Sequence, residues 1–207
     1  MNMIQKKVRF FRKKLKNGMT VLFEKRETGV VSLAFATKYG AVNEGLNEKG
    51  IAHFIEHLLY KGTSKRNTQQ ISKEIESKGG VLNGFTSESI TAFWAKIPSR
   101  HIGIALGVLG DMIKNPLFAE KEIEKERKVI FEEMKLYKDN PHLHVHDMIL
   151  ENLYSGTLGR PIIGSEKTLG SVNRVDLVKK FNEVYATDNL ILCVVGDADF
   201  NRICNFA

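Results

Sequence analysis

Residues 50 to 63, GIAHFIEHLLYKGT, place two histidines and a glutamate in an otherwise apolar stretch that is typical of a buried helix. Residues three or four apart share one face of a helix, so His53 and His57 would point the same way, with Glu56 beside them. Two imidazoles at this spacing suit a divalent metal, and zinc is the metal that this pattern favours. The spacing therefore predicts a zinc site built on His53 and His57.

Glu56 directly precedes the second histidine, and we predict that it does not bind the metal. Its carboxylate would instead hold the metal-bound water and accept a proton from it. The order His-x-x-Glu-His is the reverse of the His-Glu-x-x-His arrangement, with the same division of roles. The motif thus predicts hydrolysis, with Glu56 as the general base.

A catalytic zinc usually takes three protein ligands and leaves one position for water, so another element should supply a third ligand. Segment 120–140 is rich in acids and strongly helical. Its apolar stripe, which must face the interior, consists of Ile123, Ile130, Met134 and Tyr137. Glu126 and Glu133 flank this stripe two turns apart, whereas Glu132 lies between lysines, as in a solvated ion pair. We assign Glu133 as the third ligand and Glu126 as a carboxylate that supports a ligand.

The elements around these side chains alternate between strand and helix patterns. Asn17-Gly18 separates two strand-like runs and predicts a hairpin, because both residues tolerate positive φ. The predicted strands are 30–40, 81–98 and 189–197, and the predicted helices are 48–60, 68–79, 120–140 and 173–185, with others starting at Ser99 and at Asn140-Pro141. Since the hairpin strands must be antiparallel, we predict an α+β fold of two layers. Its sheet would be mixed and mostly antiparallel, with helices packed on one face.

Length and composition limit the class of protein. The 207 residues, 43% hydrophobic and 27% charged, suffice for one substantial core in a folded domain. The longest apolar run, 102–110, is far shorter than the roughly 20 residues of a membrane span, and no signal peptide is visible, so we expect no membrane partner. Cys193 and Cys204 form neither a CxxC motif nor a disulfide framework, which favours a cytoplasmic location.

The net charge of +7 makes nucleic acid a candidate partner. Seven basic residues precede the first acidic residue, Glu24: Lys6, Lys7, Arg9, Arg12, Lys13, Lys14 and Lys16. We interpret them as a solvated edge strand, because lysines on an edge oppose sheet-to-sheet aggregation. No recognition motif accompanies the charge, so we predict no nucleic-acid partner and favour attraction to an acidic protein or substrate.

Two further patterns could carry chemistry. The histidines of HLHVH, residues 142 to 146, could bind a second metal from one face of a strand, but Asn140-Pro141 favours a helix, which would scatter them. The segment GRPIIGSEKT resembles a phosphate-binding loop only loosely, because no lysine follows Gly164 directly. We favour neither site.

The segment GAVNEGLNEKGIAHFIEHLLYKGT resembles the active-site segment of the pitrilysin family of zinc peptidases, which includes insulin-degrading enzyme and mitochondrial processing peptidase. ERKVIFEE resembles the segment whose last residue is the family's glutamate ligand, here Glu133, with Glu126 on its supporting glutamate. GGVLNGFTSESITAF resembles the family's substrate-binding edge strand, with Asn83 on its asparagine and Gly84 in place of the usual alanine. LGRPIIGSEKTLGSV and NLILCVVGD resemble later segments, so the resemblance covers nearly the whole chain.

The resemblance implies a processing-peptidase-like metallohydrolase with one zinc ion per chain, an endopeptidase for extended or unfolded peptides. The substrate would pair with the backbone of an edge strand that includes Leu82, Asn83, Gly84, Phe85 and Thr86. Residues 1–207 would form one catalytic domain, without the homologous domains that close a chamber in this family and that would come from a partner chain or from the same polypeptide. We expect the isolated chain to expose apolar surface around the active-site helix.

Two alternatives stay open beside this one. A non-catalytic structural or substrate-holding subunit is known in the same family, and the intact metal-binding set argues against it. A quorum-sensing type of lyase shares the His-x-x-Glu-His helix but uses a cysteine ligand, and the segment ERKVIFEE argues against that.

Overall fold

The computed structural model describes residues 9–207; Lys6 and Lys7 of the basic segment lie outside the described residues. The strands are β1 (Arg9–Lys14), β2 (Thr20–Lys25), β3 (Val30–Thr37), β4 (Val81–Thr86), β5 (Thr91–Pro98) and β6 (Leu190–Gly196). The α-helices are α1 (Ile51–Leu59), α2 (Thr68–Glu76), α3 (Ile102–Lys114), α4 (Glu120–Asp139), α5 (Pro141–Leu153), α6 (Glu166–Ser171), α7 (Arg174–Val184) and α8 (Phe200–Phe206).

All six described strands form one sheet in the order β1-β2-β6-β3-β5-β4. The pair β2–β6 is parallel, and the other four pairs are antiparallel. Burial alternates along the central strands: Leu33 and Leu192 are buried against the helices, whereas Ser32 and Val195 are exposed on the opposite face. The prediction of an α+β fold with a mixed, mostly antiparallel sheet and helices on one face is confirmed.

The predicted hairpin at Asn17-Gly18 joins β1 to β2. The backbone N–H of Gly18 donates to the carbonyl of Leu15, and the N–H of Leu15 donates to Met19. This is a three-residue loop that ends in a left-handed glycine, since Gly18 has φ of +93°. Asn17 does not adopt a positive φ. The predicted hairpin is confirmed, and of the two turn residues only Gly18 adopts a positive φ.

Several predicted boundaries move in the structure. The strand predicted for 30–40 ends at Thr37, and the helix predicted for 48–60 begins only at Ile51. The strands predicted within 81–98 are β4 and β5, which a turn joins. The helix predicted from Ser99 starts as a 3₁₀ turn. Asn140 caps α5 as predicted, because its side chain accepts hydrogen bonds from the backbone N–H groups of the next helix.

Helix α1 lies between the sheet and α4, and it also contacts α7. Its buried apolar side chains are Ile51, Phe54, Ile55, Leu58 and Leu59. Arg127 of α4 fixes the two helices together, because its guanidinium stacks over the Phe54 ring at 5.3 Å and donates to the carbonyls of Leu169 and Val172. The face of α4 that includes Glu126, Ile130 and Glu133 consequently turns toward α1. Within residues 9–207, no helix combines the length and the apolar character needed to cross a membrane.

Candidate metal centre and active site

A buried carboxylate that the sequence analysis did not single out holds the start of α1. Glu44 accepts hydrogen bonds from the backbone N–H groups of Gly50 at 3.0 Å and Ala52 at 2.8 Å. Lys49, also buried, lies 3.5 Å from the same carboxylate. The first N–H groups of a helix lack partners within the helix and attract negative charge, so Glu44 acts as a cap at a position where Gly50 has no side chain to serve. Glu44 thereby fixes the rotation of the helix that carries the histidines.

The loop before α6 packs on the same helix start. A Cβ at Gly164 would lie 2.3 Å from the carbonyl oxygen of Lys49, and the φ of Gly164 is +80°. The hydroxyl of Thr168 donates to that carbonyl at 2.7 Å. Close backbone packing against the start of α1 therefore explains Gly164 of GRPIIGSEKT. The loose resemblance of this segment to a phosphate-binding loop is not needed to explain it.

The structure brings His53, His57 and Glu133 together, with one candidate ligand atom from each lying within 4.8 Å of the others. Glu133 Oε2 lies 3.6 Å from His57 Nε2 and 3.9 Å from His53 Nε2. Ligands at about 2.0–2.2 Å around a tetrahedral zinc are separated by about 3.3–3.6 Å, so small side-chain shifts would close this set around the ion. No other such group of three exists in the part of the chain that the structure describes.

The state of His53 suits metal binding. Burial, with a further contribution from His57, lowers the pKa of His53 to about 3, which keeps the imidazole neutral, as a ligand must be. Its Nδ1 is buried without a hydrogen-bond partner in the described structure. The donor set of two imidazoles and one carboxylate fits a catalytic zinc with one position left for water.

The Glu126 side chain lies next to the His57 ring, on the side of Nδ1. It is 2% exposed, and its Oε2 is 3.3 Å from His57 Nδ1. The imidazole can donate from Nδ1 to this carboxylate, which leaves Nε2 as the acceptor facing Glu133. A carboxylate in this position orients the ring and raises its basicity as a ligand.

Glu56 stands outside the three-residue set and contacts the edge strand. The hydroxyl of Thr86 donates to Glu56 Oε2 at 2.8 Å. Burial raises the pKa of Glu56, and the Thr86 hydrogen bond opposes that rise. Thr86 was expected to lie along the substrate; its contact with the predicted base was not anticipated.

These side chains open into a cleft of about 490 Å³. Its lining includes Gly84, Phe85 and Thr86 of β4, together with Tyr137, His146 and Arg160. Leu82 and Asn83 do not line it: Leu82 packs against the core, and the Asn83 side chain accepts a hydrogen bond from the N–H of Gly84. Three of the five predicted substrate residues thus border the cleft. Among the strands of residues 9–207, β4 pairs only with β5, so its other edge is open to them.

Gly84, where the family usually has alanine, is matched to Tyr60 at the end of α1. A Cβ on Gly84 would lie 2.6 Å from the Tyr60 hydroxyl and 2.9 Å from the carbonyl oxygen of Ala92. The Tyr60 hydroxyl is buried without a hydrogen-bond partner in the described residues. The absence of a side chain at Gly84 therefore makes room for the hydroxyl and lets α1 lie close under β4.

Comparison with known proteins agrees with this geometry. The pattern of the family described as Insulinase (Peptidase family M16) matches residues 20–166. A zinc protease of Rickettsia felis is 38% identical over 200 residues, which are 94% of this chain and 48% of that protein. The beta subunit of mitochondrial-processing peptidase from Mus musculus is 34% identical over 194 residues, 93% of this chain and 40% of that protein.

Solved structures show the same fold. A protease from Helicobacter pylori superposes with a TM-score of 0.89 at 27% identity, over 96% of this chain and 49% of that one. An M16 domain from Pseudomonas fluorescens, described as inactive, superposes with a TM-score of 0.86 at 18% identity, over 96% of this chain and 49% of that one.

The chain belongs to peptidase family M16, and the resemblance to the pitrilysin family is confirmed. It spans about half the length of the curated relatives that it matches.

Glutamates of α4 are expected to differ in their effect on metal binding. If Glu133 is the third ligand, Glu133→Gln should weaken zinc binding the most, whereas Glu126→Gln should weaken it about 10–100-fold. Glu132→Gln is the matched control, because Glu132 is exposed and pairs only with the exposed Lys135 at 2.7 Å. Competition with a zinc chelator measures the three affinities. Equal effects at 132 and 133 would contradict the assigned face of α4.

The Tyr60–Gly84 contact predicts non-additive stability. Gly84→Ala should destabilise the fold by about 1–3 kcal/mol through overpacking, and the cost should fall by about 1 kcal/mol when Tyr60→Phe removes the hydroxyl. Urea unfolding of the two single variants and the double variant measures this coupling. Gly107→Ala on α3 is the control, because a Cβ there meets nothing within 4 Å. An equal cost of Gly84→Ala in both backgrounds would show that the hydroxyl is not the obstacle.

Proposed function

We propose that this chain is the catalytic domain of a zinc-dependent endopeptidase that cleaves extended or unfolded peptides. The observation that supports this most strongly is that His53, His57 and Glu133 meet in a cleft bordered by an open strand edge. Glu56 faces the same cleft and is tied to that strand through Thr86. A metal-binding set, a base and a surface for an extended backbone are thus combined in one place.

One zinc ion per chain would be held by His53, His57 and Glu133. When bound, it would polarise the scissile carbonyl and lower the pKa of the attacking water. His53 is neutral and can therefore bind the ion. Glu126 would orient the His57 ring so that Nε2 faces the ion.

The other side chains of the cleft would position the peptide and move the proton. An extended substrate can add to the open edge of β4 through backbone hydrogen bonds, which places a peptide carbonyl beside α1 with little dependence on side chains. Thr86 occupies Oε2 of Glu56 and leaves Oε1 free to accept the proton of the water. Glu56 would then transfer this proton to the nitrogen of the departing amine.

Homologous peptidase domains, on a partner chain or on the same polypeptide, are the proposed partners. Large apolar side chains are exposed on α4 and α5 beside the cleft, namely Val129, Leu136, Leu143, Val145, Met148, Ile149 and Leu153. Large apolar side chains exposed on two helices that pack together are expected at an interaction site. The Mus musculus relative is named as the beta subunit of mitochondrial-processing peptidase, which supports a partner on another chain. The free thiols of Cys193 and Cys204 support a reducing, cytoplasmic location.

A non-catalytic subunit is the second candidate, favoured by the structural likeness to an M16 domain described as inactive. The complete set of His53, His57, Glu133 and Glu56 supports catalysis in preference to it.

The test is Glu56→Gln in the zinc-loaded protein, assayed with a flexible fluorogenic peptide both alone and with homologous peptidase domains. Because Glu56 is assigned to proton transfer, cleavage should fall about 10²–10⁴-fold while zinc content stays at the wild-type level. Glu132→Gln should retain full activity. Loss of zinc from Glu56→Gln, or near-normal cleavage, would contradict the role of Glu56. Absence of cleavage by the wild type in both settings would favour the non-catalytic subunit.

A further inference from the structure

The carboxylate behind the metal centre has a second partner. Glu126 Oε1 lies 2.8 Å from the ammonium of Lys61, and its other oxygen, Oε2, lies 3.3 Å from His57 Nδ1. Lys61 lies two residues after the end of α1 and four residues after His57, so both partners of Glu126 come from the same short stretch of chain. The Lys61 side chain is about three-quarters buried, with 24% of its surface exposed.

A buried carboxylate keeps one orientation only when charged or polar partners fix both of its oxygens. His57 alone offers a single N–H, and a buried carboxylate with only that partner would be under-compensated. The ammonium of Lys61 provides the opposite charge at ion-pair distance from Oε1. It also lies at the C-terminal end of α1, where the helix dipole favours a positive group.

We propose that Lys61 is a positioning residue of the metal centre. It fixes Glu126 where this carboxylate accepts the Nδ1 hydrogen of His57, and so it directs His57 Nε2 toward Glu133. Within residues 9–207, no hydrogen bond or ion pair joins Lys61 to the three candidate ligands or to β4, so its effect is exerted through Glu126. This inference rests on the proposed metal site, while it needs no assumption about which peptide is cleaved.

The test compares Lys61→Met with Lys61→Arg by competition of zinc with a chelator. Lys61→Met should weaken zinc binding about 10–100-fold, as expected for loss of a partner that orients a ligand. Lys61→Arg keeps a cation that can reach the carboxylate and should stay within a few-fold of the wild type. Lys135→Met is the matched control, because Lys135 pairs with the exposed Glu132 and should have no effect.

A double variant separates positioning from general destabilisation. If Lys61 acts through Glu126, adding Lys61→Met to Glu126→Gln should weaken zinc binding no further. Multiplying losses in the double variant, or wild-type affinity in Lys61→Met, would overturn the proposal. Should Lys61→Met fail to fold, Lys61→Arg and the double variant decide in its place, because loss of affinity in Lys61→Arg would equally overturn it.

A second readout uses the metal-free chain. Imidazole ¹⁵N signals of His57 should report hydrogen on Nδ1 in the wild type and in Lys61→Arg, and mixed tautomers in Lys61→Met. Unchanged tautomers in Lys61→Met would overturn the proposal. This measurement involves neither zinc nor peptide, so failure of the wild type to bind zinc would overturn the proposed function and leave the role of Lys61 to be judged by these signals.

Discussion

The site depends on one constraint, which is that α1 must be held in a single rotation about its axis. Its apolar side chains fill the space between the sheet and α4, and its polar side chains share the remaining face. A rotation of even part of a turn would take His57 away from Glu126 and Glu56 away from Thr86, at a cost of about 1–3 kcal/mol for each buried polar group and more for a charge. Packing and polar pairing therefore select the same orientation.

The partners that fix this orientation come from distant parts of the chain. Glu44 holds the start of α1, Arg127 stacks on its middle, and Glu126 accepts from His57. Thr86 reaches Glu56 from the edge strand. Each contact ties the helix to a different element, so the metal-binding set, the base and the open strand edge are positioned as one unit.

Periodicity explains why the sequence predicted the centre of this arrangement. His53 and His57 stand one turn apart in an apolar helix, and Glu126 and Glu133 stand two turns apart beside an apolar stripe, so the helical repeat alone assigns their faces. The strands followed from alternation and from the turn at Gly18, which made the antiparallel hairpin predictable.

The remaining contacts depend on the spatial order of the sheet and on single loops, which no local pattern encodes. Thr86 meets Glu56 only because β4 is the edge strand above α1, and the fit between Gly84 and Tyr60 has the same origin. Glu44 caps α1 from six residues before Gly50, with a 3₁₀ turn between them. The N-cap position of this helix is Gly50, which has no side chain to cap it. In the sequence, the signal for this contact is an acidic residue, Glu44, shortly before a helix whose N-cap residue is glycine.

X-ray absorption spectroscopy of the zinc-loaded chain tests most directly whether α1 and α4 together form the metal centre. The structure predicts two imidazole nitrogens at about 2.0–2.1 Å from the ion and carboxylate or water oxygens at about 2.0–2.2 Å. A sulfur neighbour at about 2.3 Å would place zinc on Cys193 or Cys204 instead. That result, or fewer than two imidazoles per ion, would contradict the account.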